Sequence, residues 1–206
     1  MPINPTITIY ITNCNYGKYL TAAIESAIKQ TYKKTDIIII DDASKDVSKK
    51  ILKRYQKNSR IKIIYNKKRK GLIKSSNIAI RAAKGKFILR LDADDYLHPD
   101  AIKKMYLKIM KYKNAALIFP DFYWINNNSK ILSKFHYKHK VNCNVKDTPA
   151  HGACSLINKK SLIKIGCYNE KFDRQDGYYI WFLLLFNKYK IIHYKKPLFY
   201  YRKHKK

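Results

Sequence analysis

Carboxylates form two tight clusters in a chain that is otherwise strongly basic. Its 206 residues include 44 Lys and Arg but only 14 Asp and Glu, and five of these acids lie in Asp41-Asp42 and Asp92-Ala93-Asp94-Asp95. Neighbouring carboxylates repel one another unless a cation compensates them. Hard divalent ions such as Mg2+ or Mn2+ bind carboxylate oxygens and bridge to phosphates. The clusters therefore predict a site for Mn2+ or Mg2+ and a phosphorylated ligand.

Each cluster also has a purely structural interpretation. Asp41-Asp42 would favour the positive end of a helix capped near Ser44, and Asp92 to Asp95 would form a turn before a helix that starts at Pro99. A ligand site is favoured because both clusters directly follow strand patterns. In a parallel sheet, ligands bind beyond the carboxyl ends of the strands.

The first half of the chain alternates strand and helix patterns, which predicts a Rossmann-like α/β sheet, mostly parallel and flanked by helices. Isoleucine-rich and other apolar runs predict strands at 7–11, 36–40, 61–65 and 87–91. Helical spacing predicts helices at 19–28, 47–55, 75–83 and from 99 to about 110. The polar segment 12–17 then joins the two acidic clusters at one edge of the sheet.

The second half is less regular and predicts a smaller mixed region. We expect strands at 115–119, 122–125, 154–157, 191–194 and 198–201, and a buried helix at 178–186. The basic, aromatic segment 130–149 predicts loop with a short strand. We interpret residues 1–206 as one domain, in which about 1–98 bind a nucleotide and about 99–206 shape an acceptor site.

The formal charge of +30 has two interpretations, an anionic partner or a compositional bias towards lysine. The four cysteines form no CxxC pair, which argues against a zinc site and favours free thiols in a reducing cytosol. Neither a signal peptide nor an apolar run of about 18 residues is visible. These patterns predict a cytoplasmic protein, and the charge motivates the hypothesis of peripheral contact with an anionic membrane face.

Four segments resemble family 2 of the GT-A-fold glycosyltransferases. In chain order they are ITIYITNCNYGKYLTAAIESAIKQTYKKTDIIIIDDASKD, KGLIKSSNIAIRAAKGKFILRLDADD, FDRQDGYYIWFLLL and PLFYYRKH. The resemblance covers most of the chain and is weakest from 112 to 147. It implies a GT-A fold and an inverting, metal-assisted transfer from a nucleotide-diphosphate sugar to a hydroxyl of a glycan or lipid-linked acceptor. UDP is the expected nucleotide, with GDP and dTDP as alternatives.

The resemblance also implies roles for individual residues of the donor and metal sites. Asp94, with Asp92 and His204, would hold the metal, and Asp95 would support the site or cap the next helix. Asp92 would also face the ribose. The residues implied to bind the nucleotide sugar are Thr12, Asn13, Asn15, Asp41, Asp42, Lys74, Asn77 and Asp92. For Asp42 the implied contact is an N–H of the base, which suits an acceptor-only carboxylate.

On the acceptor side, Asp176 matches the catalytic base of the family, and His151, Gly152 and Trp181 would contact the acceptor. A carboxylate within reach of the acceptor hydroxyl can take its proton during attack. Structural alternatives are a helix cap for Asp176, a core position for Trp181 and a frayed terminus for His204.

The chain departs from the family pattern at two places. Cys14 stands where a tyrosine is common, so Tyr16 is the candidate for aromatic contact with the base. Ser75-Ser76 replaces a common Ala-Arg pair, which leaves Lys74 or Arg81 as candidates for the phosphate contact.

Three other functions fit these patterns less well. The charge and the 18 tyrosines suit a nucleic-acid-binding protein, but clustered acids repel phosphates, so no specific nucleic acid is expected. A sugar nucleotidyltransferase favours a glycine-rich phosphate loop, and segment 13–17 has a single glycine. An inactive relative would not need to retain both Asp94 and Asp176.

Overall fold

The structure is a computed structural model that describes residues 5–138, 141, 152–172 and 176–204, without the side chain of Asp176. The helices are α1 Gly17–Ile28, α2 Ser48–Lys53, α3 Gly71–Ala82, α4 Ala101–Ile109, α5 Lys159–Lys164 and α6 Asp176–Phe186. The strands are β1 Ile7–Asn13, β2 Thr35–Asp41, β3 Ile61–Tyr65, β4 Phe87–Asp92, β5 Tyr96–Leu97, β6 Ala115–Ile125, β7 Ile131–Phe135, β8 Leu156–Asn158 and β9 Lys190–Arg202.

One sheet runs through the molecule in the order β3-β2-β1-β4-β8-β6-β9-β5, and β7 pairs with β6. The strands β1 to β4 pair in parallel, as do β6 and β9. Antiparallel pairs join β8 to β4 and β6, β7 to β6, and β5 to β9. The predicted mostly parallel α/β sheet with a mixed C-terminal region is confirmed.

The isoleucine run in β2 explains why this sheet is covered on both faces. Successive side chains of a strand point to opposite faces. Ile37 and Ile39 accordingly pack in the core that α1, α2 and α4 cover, whereas Ile38 and Ile40 pack in the core under α3, α5 and α6. All four side chains are buried. Each contributes roughly 1.5–3 kcal/mol of apolar burial, which fixes the strand between its neighbours.

Several predicted boundaries are wrong. Residues 115–125 form one strand, as do 190–202, where two strands each were predicted, and both strands carry register irregularities at the level of Pro120 and Pro197. Proline has no N–H to give to a ladder, so the sequence pattern breaks although the strand continues. Helix α3 begins at Gly71, four positions before the predicted start. Helix α2 follows Val47, so Ser44 is not its cap.

No helix in the described ranges combines the length and the apolar character that crossing a bilayer requires.

Candidate functional site

A cavity of about 390 Å³ opens at the carboxyl ends of β1, β2 and β4. Both halves of the chain contribute to it. Its first-half lining includes Thr12, Asn13, Cys14, Tyr16, Asp42, Arg69, Gly71, Ser75, Asp92 and Asp94, and its second-half lining is Tyr201, Arg202 and His204. The three polar clusters predicted at one sheet edge therefore do meet at one place.

Asp94 and His204 are in direct contact in the lining of this cavity. His204 Nε2 lies 2.7 Å from Asp94 Oδ2, and the two side chains are 40% and 17% exposed. The rings of Tyr16 and Tyr19 lie 5.9 and 5.8 Å from the His204 imidazole. The exposure of this pair leaves room for a ligand from the cavity, and the aromatic rings fix the direction of the imidazole.

Arg202 binds the loop that carries Asp94. Its backbone N–H donates to Asp95 Oδ1 at 2.8 Å, and its Nε donates to the Asp94 carbonyl at 2.7 Å. The guanidinium also lies over the Tyr19 ring, 4.3 Å from its centre. Burial, together with the charges of Asp94 and Asp92, raises the pKa of Asp95 well above its ordinary value. Asp95 thus supports the loop from the interior.

Asp92 is paired within the protein. Arg90 Nε lies 3.0 Å from Asp92 Oδ1, and the arginine is almost fully buried. Within the residues that the structure describes, no three His, Cys, Asp or Glu side chains lie close enough to hold an ion together. Of the predicted metal ligands, Asp94 and His204 are therefore in direct contact, whereas Asp92 pairs with Arg90, and the part of all three in binding a metal stays a prediction. One carboxylate and one imidazole suit Mn2+ or Mg2+ when substrate phosphates supply further oxygens.

The carboxylate of Asp42 fixes the loop that forms another wall of the cavity. Its Oδ1 accepts from Asn66 Nδ2 and the Lys70 N–H, and its Oδ2 accepts from the Gly71 N–H, all at 2.8 Å. Gly71 adopts a φ of +83°, a backbone conformation that favours glycine. The loop therefore enters α3 in a fixed direction, with Arg69 in the lining of the cavity.

Asn13 presents an oxygen that the described protein does not use. Its Nδ2 donates to Asp41 Oδ1 at 2.9 Å and to Ser44 Oγ at 3.0 Å. The buried Oδ1 of the same side chain has no hydrogen-bond partner among the described residues. An unpaired buried acceptor is costly, and this one belongs to a residue that lines the cavity. Asp41 is fully buried, so its part in the site is to orient Asn13.

Besides the buried Asp41, three residues predicted to bind the donor lie outside the lining of the cavity. Asn15 is exposed, and its Oδ1 accepts from the Lys45 N–H at 2.7 Å. Lys74 is exposed on α3. Asn77 is buried and joins α3 to the loop after α5, because its Nδ2 donates to the Tyr168 carbonyl at 2.8 Å and to Glu170 Oε1 at 3.0 Å. The helix turns Asn77 away from the cavity, so its predicted contact with the donor is corrected.

The acceptor side is described in part. Trp181 is 1% exposed and its ring lies 4.5 Å from that of Phe119, so it belongs to the core and its predicted contact with an acceptor is corrected. Gly152 is buried. His151 lies outside the described residues, and Asp176 is described only as the first residue of α6.

Arg69, Arg90 and Arg202 are site residues that motif reasoning missed. Lysine is so common here that single basic residues carry little signal, yet only seven of the 44 basic residues are arginines. Arginine presents a planar fork of donors that lysine lacks, so it is retained where two acceptors must be held. In this chain, the scarcity of arginine was the signal that could have identified them. Tyr16, the candidate for aromatic contact, does line the cavity.

Chemically, the cavity combines a potential cation site, an unpaired acceptor and an arginine in one wall. The first suits a diphosphate with its metal, the second suits an N–H of a base, and the third suits a phosphate oxygen. A nucleoside diphosphate with a bound metal ion has a partner for each of these three features.

Comparisons with known proteins agree with this geometry. A family model described as glycosyl transferase family 2 matches residues 8–166. An uncharacterised glycosyltransferase of Methanocaldococcus jannaschii is 31% identical over 194 residues, which are 90% of this chain and 67% of that protein. The Escherichia coli UDP-Glc:alpha-D-GlcNAc-diphosphoundecaprenol beta-1,3-glucosyltransferase WfgD is 29% identical over 187 residues, 87% of this chain and 69% of WfgD.

Among solved structures, S. aureus TarS 1–349 in complex with UDP-GlcNAc is similar with a TM-score of 0.81 and 19% sequence identity. The match covers 98% of this chain and 59% of that structure. The similarity confirms the predicted GT-A architecture. The chain spans about three fifths of the TarS 1–349 structures it matches.

Proposed function

The chain belongs to glycosyl transferase family 2, and from this premise we propose that it moves a sugar from a UDP-sugar to a hydroxyl of a glycan or lipid-linked acceptor, with inversion. The observation that carries the proposal is a single cavity lined by the Asp94–His204 pair and by Asn13, whose buried Oδ1 has no hydrogen-bond partner among the described residues. Such a cavity can hold a nucleoside diphosphate by both of its ends.

At the nucleoside end, we assign the base to the region of Thr12, Asn13 and the loop fixed by Asp42. Asn13 Oδ1 is the acceptor available for the N3–H of uracil, since Asp42 already accepts three hydrogen bonds from its own protein. Tyr16 offers an aromatic face nearby. UDP is favoured over GDP and dTDP because the names of WfgD and of the TarS complex both contain a UDP-sugar.

At the diphosphate end, Asp94 and His204 would hold Mn2+ or Mg2+. A bound divalent ion stabilises the negative charge that develops on the departing diphosphate. Arg69 provides the phosphate contact for which Lys74 or Arg81 was the candidate, because Arg69 lines the cavity and neither of those two residues does. Arg202 holds the backbone of Asp94 in place during the transfer.

Asp176 is the proposed general base. It begins α6, and the proposal is supported by the resemblance, which implies a catalytic base at this position. Its carboxylate would accept the proton of the acceptor hydroxyl as that oxygen attacks the anomeric carbon on the face opposite the diphosphate. Attack from that face inverts the configuration of the sugar.

For the acceptor, a lipid-linked glycan at the cytoplasmic face of a membrane is proposed, supported by the acceptor in the printed name of WfgD. The charge of +30 supports contact with anionic headgroups there. His151 and Gly152 remain candidates for contact with the acceptor.

A thermal-shift screen of UDP, GDP and dTDP, each with and without Mn2+, tests the donor assignment. A ligand that binds the folded state raises the melting temperature according to its concentration relative to its dissociation constant. We expect the largest shift with UDP and Mn2+ together, and expect Asp94→Ala to remove the Mn2+-dependent part. The proposal would be contradicted if none of the three nucleotides raised the melting temperature. It would also be contradicted if Asp94→Ala kept the full Mn2+-dependent shift.

The role of Asp176 is tested by Asp176→Asn. This variant should keep the UDP and Mn2+ thermal shift and lose transfer by at least about 10²-fold. Glu170→Gln, an acidic residue near α3 and outside the cavity lining, is the matched control and should keep transfer. Equal rates in Asp176→Asn and Glu170→Gln would show that Asp176 is not the base.

A further inference from the structure

Helix α4 carries an exposed apolar ridge between lysines. Lys103 and Leu107 face outward on α4, and Met110 and Lys111, which directly follow the helix, are also exposed. Leu107 is 54% exposed and Met110 is 53% exposed. The opposite side of the helix buries Ile102, Met105 and Ile109 against the sheet. The ridge therefore contributes nothing to the core, and its apolar side chains meet solvent.

A shallow groove lined by lysine and tyrosine lies on each side of this ridge. On one side, a groove of about 320 Å³ contains Lys33, Lys34, Lys103 and Tyr106. On the other side, a groove of about 490 Å³ contains Lys108, Tyr112, Tyr194, Lys195 and Lys196. We call the ridge and both grooves the α4 face.

The α4 face is strongly positive. The nearest acid, Asp100, is already occupied, since its carboxylate lies 3.1 Å from Lys104 Nζ and accepts from Thr31 Oγ1. Among the described residues, no carboxylate lies within ion-pair distance of the seven lysines Lys33, Lys34, Lys103, Lys108, Lys111, Lys195 and Lys196. Their charge is therefore available to a partner.

We infer that the α4 face docks on an anionic lipid bilayer, which deepens the membrane contact of the proposed function and depends on it for its purpose. An interfacial helix has apolar side chains on one face and lysines at its edges, as α4 has. Lysine stems extend along the apolar surface while their charges reach the headgroups, and tyrosine prefers the same interfacial depth.

Charge and apolar character together select this partner over others. A nucleic acid or a soluble polyanion would use the lysines but not Leu107 and Met110. A second copy of the chain would bring another +30 of charge to a positive surface, which opposes association. The ridge also lies on the face of the sheet opposite α6, which Asp176 begins. Docking at α4 therefore leaves the proposed base uncovered.

The test is co-sedimentation with phosphatidylcholine vesicles, with and without phosphatidylglycerol. The wild-type chain should bind only the anionic vesicles, and binding should weaken as salt rises. Each lysine near an anionic bilayer changes partition about fivefold, which corresponds to about 1 kcal/mol. Lys195→Gln with Lys196→Gln should therefore weaken vesicle binding about 25-fold. Lys57→Gln with Lys62→Gln, on the side of the far edge strand β3, is the matched control and should have little effect.

A second pair of variants separates a bilayer from any other polyanion. Leu107→Gln with Met110→Gln should weaken vesicle binding roughly tenfold, because two half-exposed apolar side chains no longer enter the interface. The same variant should bind soluble polyphosphate as the wild type does. Ile163→Gln on α5, also 54% exposed, is the apolar control.

Three outcomes would overturn the inference. They are a wild-type chain that does not sediment with anionic vesicles, a Leu107→Gln Met110→Gln variant that sediments as the wild type does, and control variants that lose binding equally. The UDP and Mn2+ thermal shift is measured on every variant. If the wild-type chain shows no such shift, the result counts against the transferase proposal. If the shift is present but the chain does not bind vesicles, the result counts only against docking by the α4 face.

Discussion

The two halves of the molecule reach the same cavity by different means. In the first half, four parallel strands end beside one another, and their polar residues are fixed by bonds within that half, such as Asn13 to Asp41 and Asp42 to Gly71. The second half contributes from a single long strand, β9, whose last residues extend to Arg202 and are followed by His204. The first half therefore provides a rigid binding surface, and the second half completes it with a few side chains.

Most carboxylates of the two clusters in the first half are held by the protein itself. Asp41, Asp42 and Asp92 each have protein partners, and Asp94 meets its partner from the other half. Four substitutions distinguish two halves that act separately from two halves that act as one.

Replacing His204 by alanine should produce the largest effect. The imidazole is 40% exposed, so the free energy of unfolding should change by less than about 1 kcal/mol. Transfer should fall by about 10²–10³-fold, because Asp94 alone would remain to hold the ion. Rates measured over a range of Mn2+ concentrations check this, with His136→Ala as the control. Unchanged Mn2+ dependence would show that the first half holds the ion by itself.

Replacing Arg202 by leucine should destabilise the protein by about 3 kcal/mol. The variant loses hydrogen bonds to the Asp94 carbonyl, the Asn126 carbonyl and Ser129, and its guanidinium is buried. For a chain of this size, the melting temperature should drop by roughly 6–12 °C. Lys203→Leu, at an exposed neighbour, should change it little. A variant with normal stability would mean that the halves are joined elsewhere.

Replacing Asn77 by alanine should cost about 2 kcal/mol of stability and leave UDP affinity within about twofold. The buried amide makes three hydrogen bonds to residues 168–170 and none to the cavity. Chemical denaturation and a UDP titration on the same sample separate the two effects. A loss of UDP affinity at normal stability would restore Asn77 to the donor site.

The smallest effect is expected at His98, where the halves meet. Burial, with Lys104 nearby, lowers the pKa of His98 below its ordinary value of 6.5, and its neutral Nδ1 accepts from the Asp100 N–H. Because the folded pKa is depressed, the contribution is present above pH 6.5 and is lost as pH falls through the lowered pKa. His98→Asn should remove this pH-dependent part of the free energy of unfolding, which is less than about 1 kcal/mol. Chemical denaturation of both proteins at several pH values measures the difference. An identical pH profile in both proteins would contradict it.

The sequence predicted the first half well because its physics is local. A run such as Ile37 to Ile40 can only be a strand buried on both faces, and the polar residues after it must lie at the sheet edge. The second half was harder, since β8 inserts between β4 and β6 through pairings distant in sequence. Prolines also interrupt the patterns of β6 and β9 where the strands continue.

The sequence predicted which residues belong to the site better than it predicted where their side chains point. Asp94 and His204 were correctly expected to lie together. Asn77 and Trp181 were given binding roles from the family resemblance, but their side chains are buried away from the cavity. A motif match fixes the position of a residue along the chain, but packing decides where its side chain points. Asp42 illustrates the same limit. Its carboxylate accepts hydrogen bonds from the loop before α3, and no pattern in the sequence links Asp42 to that loop.

The bond between Asp94 and His204 spans 110 positions, and that between Asp95 and Arg202 spans 107. Contacts so distant along the chain form late in folding, after more local ones have ordered the segments between them. During synthesis, the first half can fold while the rest is still being translated. The Asp94–His204 contact is therefore missing from a nascent or interrupted chain until translation has passed position 204.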